Sequence, residues 1–350
     1  MRVPRPSAQA RYRARAPGEP RAFAATSLAT MPSTARPGTS AFAPVPPHPQ
    51  LTGSPCTIDD RRGRGRPATL RGAITGSQAM GLLVVQPAAP LSSLVESIWD
   101  CVQAQPAHRF DRMLPTAKPQ LVINLAQDET RVYDEAMRCT RNAGASLDAP
   151  AHRGFVIDTA EQTAVVGVVF RAGAAAPFFR ERMDAIANRQ VDLDALAAGS
   201  ARTLRERLLD ASGARARVDI VERWLSARAR ASAAAMHPAI AHAVRLIDAA
   251  PGARRIAAIA AHCRLSPRRF GELFREQVGM SPKRYARLQR FHGVVAQARR
   301  EARIEWAGIA VDGGFHDQAH LTHEFRAFSG MTPTDWMARR SPWHNHVPLA

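Results

Sequence analysis

Apolar residues in this chain change period twice. Before residue 80 they follow no period, between 80 and 175 they gather in short runs, and from Ala176 onward they recur at helical spacing. In the middle stretch Leu91, Leu94, Val95 and Ile98 stand at i, i+3, i+4 and i+7 after Pro90, which predicts a short amphipathic helix. Val- and Ile-rich runs bounded by Pro, Gly or Asp predict strands at Leu121–Leu125, Gly154–Asp158 and Thr163–Arg171. Helical spacing then predicts Phe178–Ile186, Ala201–Leu209 and Val218–Arg230. From residue 236 the strand pattern ends, and helix follows helix with Gly and Ser/Thr-Pro between them.

That last segment repeats itself. With an offset of 51 residues, Ser266 matches Asp317, Phe270 matches Leu321, Phe274 matches Phe325 and Arg275 matches Arg326. Gly279-Met280-Ser281-Pro282 aligns with Gly330-Met331-Thr332-Pro333, and Tyr285 with Trp336. Ile259-Ala260 and Ile309-Ala310 each stand six residues before Leu265 and Phe315, so the second turn is one residue longer. Ser266 and Asp317 are suited to cap a helix N-terminus, where a side-chain oxygen takes an orphan amide. Pro267 fits the first turn, and Gly279 and Gly330 suit the left-handed position that closes a helix. Phe270, Leu273 and Phe274 form an inward stripe against Ile256, Ile259 and Ala260; Leu321, Phe325 and Phe328 form another against Ile309 and Ala310. Pro282–Arg299 is predicted as one long helix with Tyr285, Leu288, Val295 and Ala298 on its apolar face. A short helix, a tight turn and a second helix with a polar outer face is the helix-turn-helix plan, whose second helix enters the major groove. Successive groove faces recur at about 34 Å, so a rigid linker helix decides whether both units dock together.

Charge agrees with a polyanionic partner. The 350 residues carry 48 Lys+Arg against 30 Asp+Glu, a net +18, and all bases but Lys118 and Lys283 are arginine. Residues 236–350 hold 17 bases and 9 acids, whereas residues 80–235 are nearly neutral. Residues 1–79 hold 12 Arg, 3 acids and 12 of the 26 prolines, and such a stretch cannot bury enough apolar area to offset its ordering entropy. It is expected to be disordered, either as a basic arm adding nonspecific DNA affinity or as an upstream extension ahead of a start at Met80. No apolar run approaches the roughly 20 residues of a membrane span. Cys56, Cys101, Cys139 and Cys263 lie far apart without a Cys-x-x-Cys pair and read as reduced cytoplasmic thiols. His316, His320 and His323 lie close in sequence, but no Cys or carboxylate completes a tetrahedral set, so no metal is expected. No nucleophile elbow, P-loop, HExxH or dinucleotide fingerprint is present, and neither a catalytic residue nor a cofactor is expected.

Over Ala241–Met337 the sequence resembles the AraC family of bacterial transcription regulators. Ile309-Ala310 followed by Gly314-Phe315-His316-Asp317-Gln318-Ala319-His320-Leu321 is similar to that family's second-unit signature, and Gly330-Met331-Thr332-Pro333 to its closing turn. The chain departs from the family where Arg is frequent two residues before each conserved Phe: here Glu272 and His323 stand. Val95-Glu96-Ser97-Ile98-Trp99, Leu114-Pro115 and Phe170-Arg171-Ala172-Gly173 resemble a cupin-like domain that often precedes such modules. The expected fold class is α+β, a β-rich cupin-like domain with appended helices followed by an all-α domain of two helix-turn-helix units joined by a long helix. The expected boundaries are an extension at 1–79, a sensor or dimerisation domain at 80–175, a helical connector at 176–235, the DNA-binding domain at 236–340 and a flexible tail at 341–350.

The resemblance implies a sequence-specific transcription regulator, an activator or a repressor, with recognition helices 266–278 and 317–329. Base contacts are expected from Arg268, Arg269, Glu272, Gln318, Ala319, His320, Thr322 and His323. Phosphate contacts are expected from Arg275, Lys283, Arg284, Arg287 and Arg326. Promoter DNA is the implied partner, with RNA polymerase, a small-molecule effector and a second copy of the chain as further candidates and no membrane. The alternative is a cysteine-based alkylation-repair or redox-sensing protein using Cys101 or Cys139 with the same DNA-binding module. A weaker one is a nucleoid-type binder carried by the basic arm.

Overall fold

Val- and Ile-rich runs build the first half of the molecule. The computed structural model describes residues 81–350 apart from 198, 233–234, 252–253, 302–303 and 350, so the expected extension at 1–79 lies outside the described residues. The β-rich half runs β1 (Gly81–Val85), β2 (Val95–Val102), β3 (Phe110–Met113), β4 (Gln120–Asn124), β5 (Glu129–Tyr133), β6 (Cys139–Ala143), β7 (Ala145–Asp148), β8 (Phe155–Asp158) and β9 (Ala164–Phe170). It continues through α1 (Met183–Ile186), β10 (Gln190–Asp192), α2 (Leu193–Ala197), α3 (Ser200–Leu209) and α4 (Ala214–Ala231). One antiparallel sheet is ordered β1-β2-β9-β4-β7-β10. The helical half comprises α5 (Pro238–Ala249), α6 (Ile256–His262), α7 (Pro267–Val278), α8 (Pro282–Arg300), α9 (Trp306–Asp312), α10 (Gln318–Ser329) and α11 (Pro333–Ala338), followed by β11 (His346–Leu349). β11 joins the second antiparallel sheet, ordered β11-β3-β8-β5-β6. A two-sheet half followed by a helical half is the expected α+β architecture. No helix among the described residues is long and apolar enough to cross a membrane.

Several local expectations are corrected by tertiary pairing. Leu91–Ile98 is not an amphipathic helix: Leu91–Ser93 makes a single 3-10 turn, and Val95 opens β2. β2 pairs with β1 on one side and β9 on the other, and in a central strand the branched Val95, Ile98 and Val102 fit better than in a helix. Trp99 lies opposite Gly167, where an added Cβ would stand 2.2 Å from the indole; only glycine lets the ring lie on β9. Phe178 and Phe179 precede α1 rather than belong to it, and they pack on Phe170 with ring centroids 5.0 and 5.6 Å away. β5 and β6 were not expected, since their residues are mostly polar and pair only with each other and β8.

Two segments are more firmly built in than their sequences suggest. Residues 176–235 are not a connector: Phe178, Phe179, Met183, Leu193, Leu204, Val221 and Leu225 share one core with Leu121, Val166 and Phe170 of the first sheet. Arg217 of α4 donates to the buried Asp100 carboxylate, Nη2 to Oδ1 at 3.0 Å. Of the expected flexible tail, residues 341–349 are built into the fold. β11 adds a strand beside β3, Val347 is fully buried, and Arg299 of α8 donates to the Ser341 carbonyl at 2.6 Å. Four residues carry too short a pattern for sequence periodicity to reveal them.

One buried acid sets a pH dependence. Asp148 ends β7 opposite Gln120 and Gln190, and its Oδ1 is buried without a hydrogen-bond partner. Burial pushes this carboxyl from 3.8 up to about 7, with a Gln190 hydrogen bond pulling the other way. A folded pKa above the unfolded one gives stability that is full below about 4 and lost as pH rises towards 7. Asp148→Asn mimics the neutral acid, so its unfolding midpoint should exceed that of the parent chain at pH 8 and match it near pH 4. Equal shifts at both pH values would show that Asp148 is ionised in the fold.

Candidate nucleic-acid interface

The two repeat units take the same local form for the reasons their sequences supply. Ser266 Oγ accepts the Arg269 amide at 3.3 Å and Asp317 Oδ1 accepts the His320 amide at 2.7 Å, so α7 and α10 each start on a side-chain cap. Gly279 and Gly330 close them at φ of 83° and 75°, in the left-handed region. Ser281 and Thr332 then cap α8 and α11 by accepting the amides of Arg284 and Asp335. Ile259, Ala260, Phe270, Phe274, Ile309, Ala310, Leu321 and Phe325 are all buried, with Tyr285 and Trp336 fully enclosed at equivalent places. One continuous core holds both units and α8.

The outward faces differ. On α7, Arg268 is 91% exposed and donates from Nε to Glu272 Oε1 at 3.0 Å, while Arg269 Nη1 lies 3.9 Å from Oε2. The Arg268 hydrogen bond, joined by the charges of Arg268, Arg269 and Arg275, holds the Glu272 carboxyl below its usual range. Arg275 is exposed one turn further on. On α10, Gln318, Ala319, Thr322, His323 and Arg326 line one open depression. His320 is also engaged within the turn: its Nδ1 accepts the His316 amide at 3.2 Å and its ring stands edge-on to Phe315. Thr322 turns its hydroxyl onto the Gln318 carbonyl at 2.9 Å.

Two of the expected phosphate anchors are engaged within the protein. Arg287 makes a two-pronged pair with Glu324 of α10, both N···O distances 2.7 Å, and its guanidinium lies over Phe328. Burial raises the Glu324 carboxyl, but the Arg287 hydrogen bonds and charge outweigh it and the net shift is downward. Arg284 donates to His152 Nε2 at 3.4 Å, which brings it to the loop between β7 and β8. Lys283 and Arg326 are exposed. Sequence reasoning missed Arg290, which donates to the Gly314 carbonyl at 3.0 Å and lies over the Phe315 ring. Arg287 and Arg290 stand three apart on α8, and that spacing beside Glu324 was the available signal.

The β-rich half reaches the closing end of each recognition helix. At Gly279 an added Cβ would meet Pro150 at 2.9 Å; at Gly330 it would meet the Arg112 guanidinium at 1.9 Å. Arg112 donates to the Ser329 carbonyl at 3.1 Å, and α1 packs against α7. His292 of α8 donates to the Pro115 carbonyl at 2.9 Å, and burial pushes its imidazole down to about 4, so it is neutral there.

The family described as "Helix-turn-helix domain" matches residues 259–339. The chain is a DNA-binding transcription regulator with an AraC-type helix-turn-helix module at its C-terminal end. Residues 83–192 match a second family, described as "Domain of unknown function (DUF6597)". Among solved structures the chain is similar to apo ToxT from Vibrio cholerae strain SCE256, at 9% identity over 73% of this chain and 97% of that one, with a TM-score of 0.40. It is likewise similar to unsaturated fatty acid bound ToxT from the same strain, at 9% identity over 75% and 96% of the two chains, with a TM-score of 0.39. No curated protein sequence matches.

The Arg287–Glu324 pair fixes the two units of the AraC-type module to each other. Arg287→Ala leaves a Glu324 side chain that is 10% exposed without its partner. The expected cost is about 2 kcal/mol, below the fully buried value because Arg287 is 36% exposed. Urea unfolding of both single variants and the double variant should give a coupling of about 1 kcal/mol. Strictly additive losses would show that the pair does not tie the units.

Proposed function

We propose that the regulator docks α7 and α10 together in successive major grooves on one face of promoter DNA, and that the β-rich half controls the fit. The single observation that supports this reading is the common core: Phe270 and Phe274 of the first unit, Phe291 of α8 and Phe325 of the second are enclosed in one apolar cluster. Two helices held that way present one composite surface. Arg275 and Arg326 occupy equivalent, exposed places and act as phosphate anchors that set register. Arg268, Arg269, Glu272, Gln318, Ala319, Thr322 and His323 are the base-facing groups, and His320 supports the turn instead. Lys283 adds charge at the start of α8.

Control from the β-rich half needs no long pathway. Pro150 meets the end of α7 and Arg112 meets the end of α10, so any rearrangement of that half shifts the helices relative to each other. A small-molecule effector or a second copy of the chain acting on the two sheets would be felt in this way. The thiol-based alternative finds little support at Cys101, while Cys139 is exposed on β6. Cys101 is buried, and burial with the neighbouring Asp100 charge pushes its thiol up to about 11, the reverse of an activated nucleophile.

Binding of the full chain to duplexes selected from a random pool tests the docking. Inserting about 5 bp between the two half-sites turns the second onto the opposite face of the duplex and should reduce affinity to that of one unit. Unchanged affinity would refute simultaneous docking. Arg326→Ala should weaken all duplexes alike and lower the salt slope by about 1. A base-specific loss instead would remove its role as a phosphate anchor.

A further inference from the structure

The two recognition helices share some outward residues and differ at others, and the division is informative. Under the 51-residue offset Arg275 and Arg326 coincide, as a contact to phosphate requires, since every sequence offers the same phosphates. Arg268, Arg269 and Glu272 instead correspond to Ala319, His320 and His323. Base edges are where such differences have a consequence.

We infer that the module reads two half-sites of different composition: α7 reads a G·C-rich half-site in which Glu272 selects cytosine, and α10 reads an A·T-rich one. This rests on the docking proposed above. An acid on a DNA-facing helix is repelled by phosphates on both strands, so it weakens binding unless it finds a donor at the groove floor. The cytosine N4 amino group is the base donor a carboxylate accepts best, and guanine O6 and N7 are what paired guanidiniums meet. Arg268 and Arg269 converge on the two Glu272 oxygens, and these contacts hold the carboxylate and both cations at one level of the helix. A G·C step offers acceptors and an amino donor side by side at that level.

The other helix carries no such set. His320 is bound into the turn, and the Thr322 hydroxyl is bound to its own helix. What lines the depression is the Gln318 amide, the Ala319 methyl, Thr322, the His323 imidazole and the Arg326 anchor. A carboxamide pairs with adenine N6 and N7, and methyl groups pack on the thymine methyl. The two half-sites are therefore not a repeat of one word, although the protein units are.

The experiment selects duplexes from a random pool with the full chain and with its Glu272→Gln and Gln318→Ala variants, all checked for native helicity. The parent chain should enrich one G·C-rich and one A·T-rich block about one helical turn apart. Glu272→Gln should lose preference at one cytosine by about tenfold, with preferences in the other block intact and affinity for unselected DNA raised. Gln318→Ala should relax one adenine in the other block only. If Glu272→Gln keeps the parent preferences at every position, or if both blocks have the same composition, the inference is overturned. If the parent enriches no sequence at all, the docking itself fails and not merely the assignment of bases.

Discussion

The dry contact between α8 and both flanking units is the constraint on which the remaining structure depends. Tyr285, Leu288, Phe291, Val294, Val295 and Ala298 leave α8 almost without a wet apolar face, because both units press on it. Each of these larger side chains contributes roughly 1.5–3 kcal/mol when enclosed. Two of the polar groups at that contact are paired: Tyr285 donates to Asp248 at 2.6 Å, and Arg287 holds Glu324, whereas Trp336 Nε1 is enclosed without a hydrogen-bond partner. Burial and the Asp248 charge raise the Tyr285 phenol well above its usual range, so it stays a donor. A linker held on both sides cannot bend between the units, and bending would cost the register on DNA.

The β-rich half is joined to that core rather than tethered to it. Leu114, Ala117, Ala172 and Val347 are buried in the same apolar cluster as the recognition helices. Around them lie directional contacts that a sliding interface would not keep, namely His292 to Pro115 and Arg112 to Ser329. β11 completes the attachment, since the chain leaves α11 and returns to pair with β3. In the β-rich half Arg217 is paired with Asp100 and Arg131 with Glu161, whereas on the outer faces of α7 and α10 Arg268 and Arg269 share Glu272 and Arg275 and Arg326 are exposed.

Legibility in the sequence followed how local each interaction is. The caps at Ser266 and Asp317, the left-handed closures at Gly279 and Gly330 and the inward Phe270, Phe274, Leu321 and Phe325 depend on neighbours within one or two turns. So does the exposed set on α7. Val- and Ile-rich β4, β8 and β9 were readable for the same reason, because the signal is carried by the residues themselves. Leu91–Ile98 misled because its spacing fits a helix, while the partners of Ile98, Val85 and Val168, lie elsewhere in the chain.

The amino-acid order by itself determined a pair of capped helix-turn-helix units, their linker helix, their basic outer faces and a β-rich segment ahead of them. Tertiary structure alone decided that Arg287 and Arg290 turn inward, that His320 braces a turn, that β11 closes the second sheet and that Pro150 and Arg112 abut the ends of the recognition helices. The physical reason is distance along the chain. A cap or an apolar stripe is satisfied by residues a few positions away, whereas Arg112 and Ser329 meet only after both halves have folded.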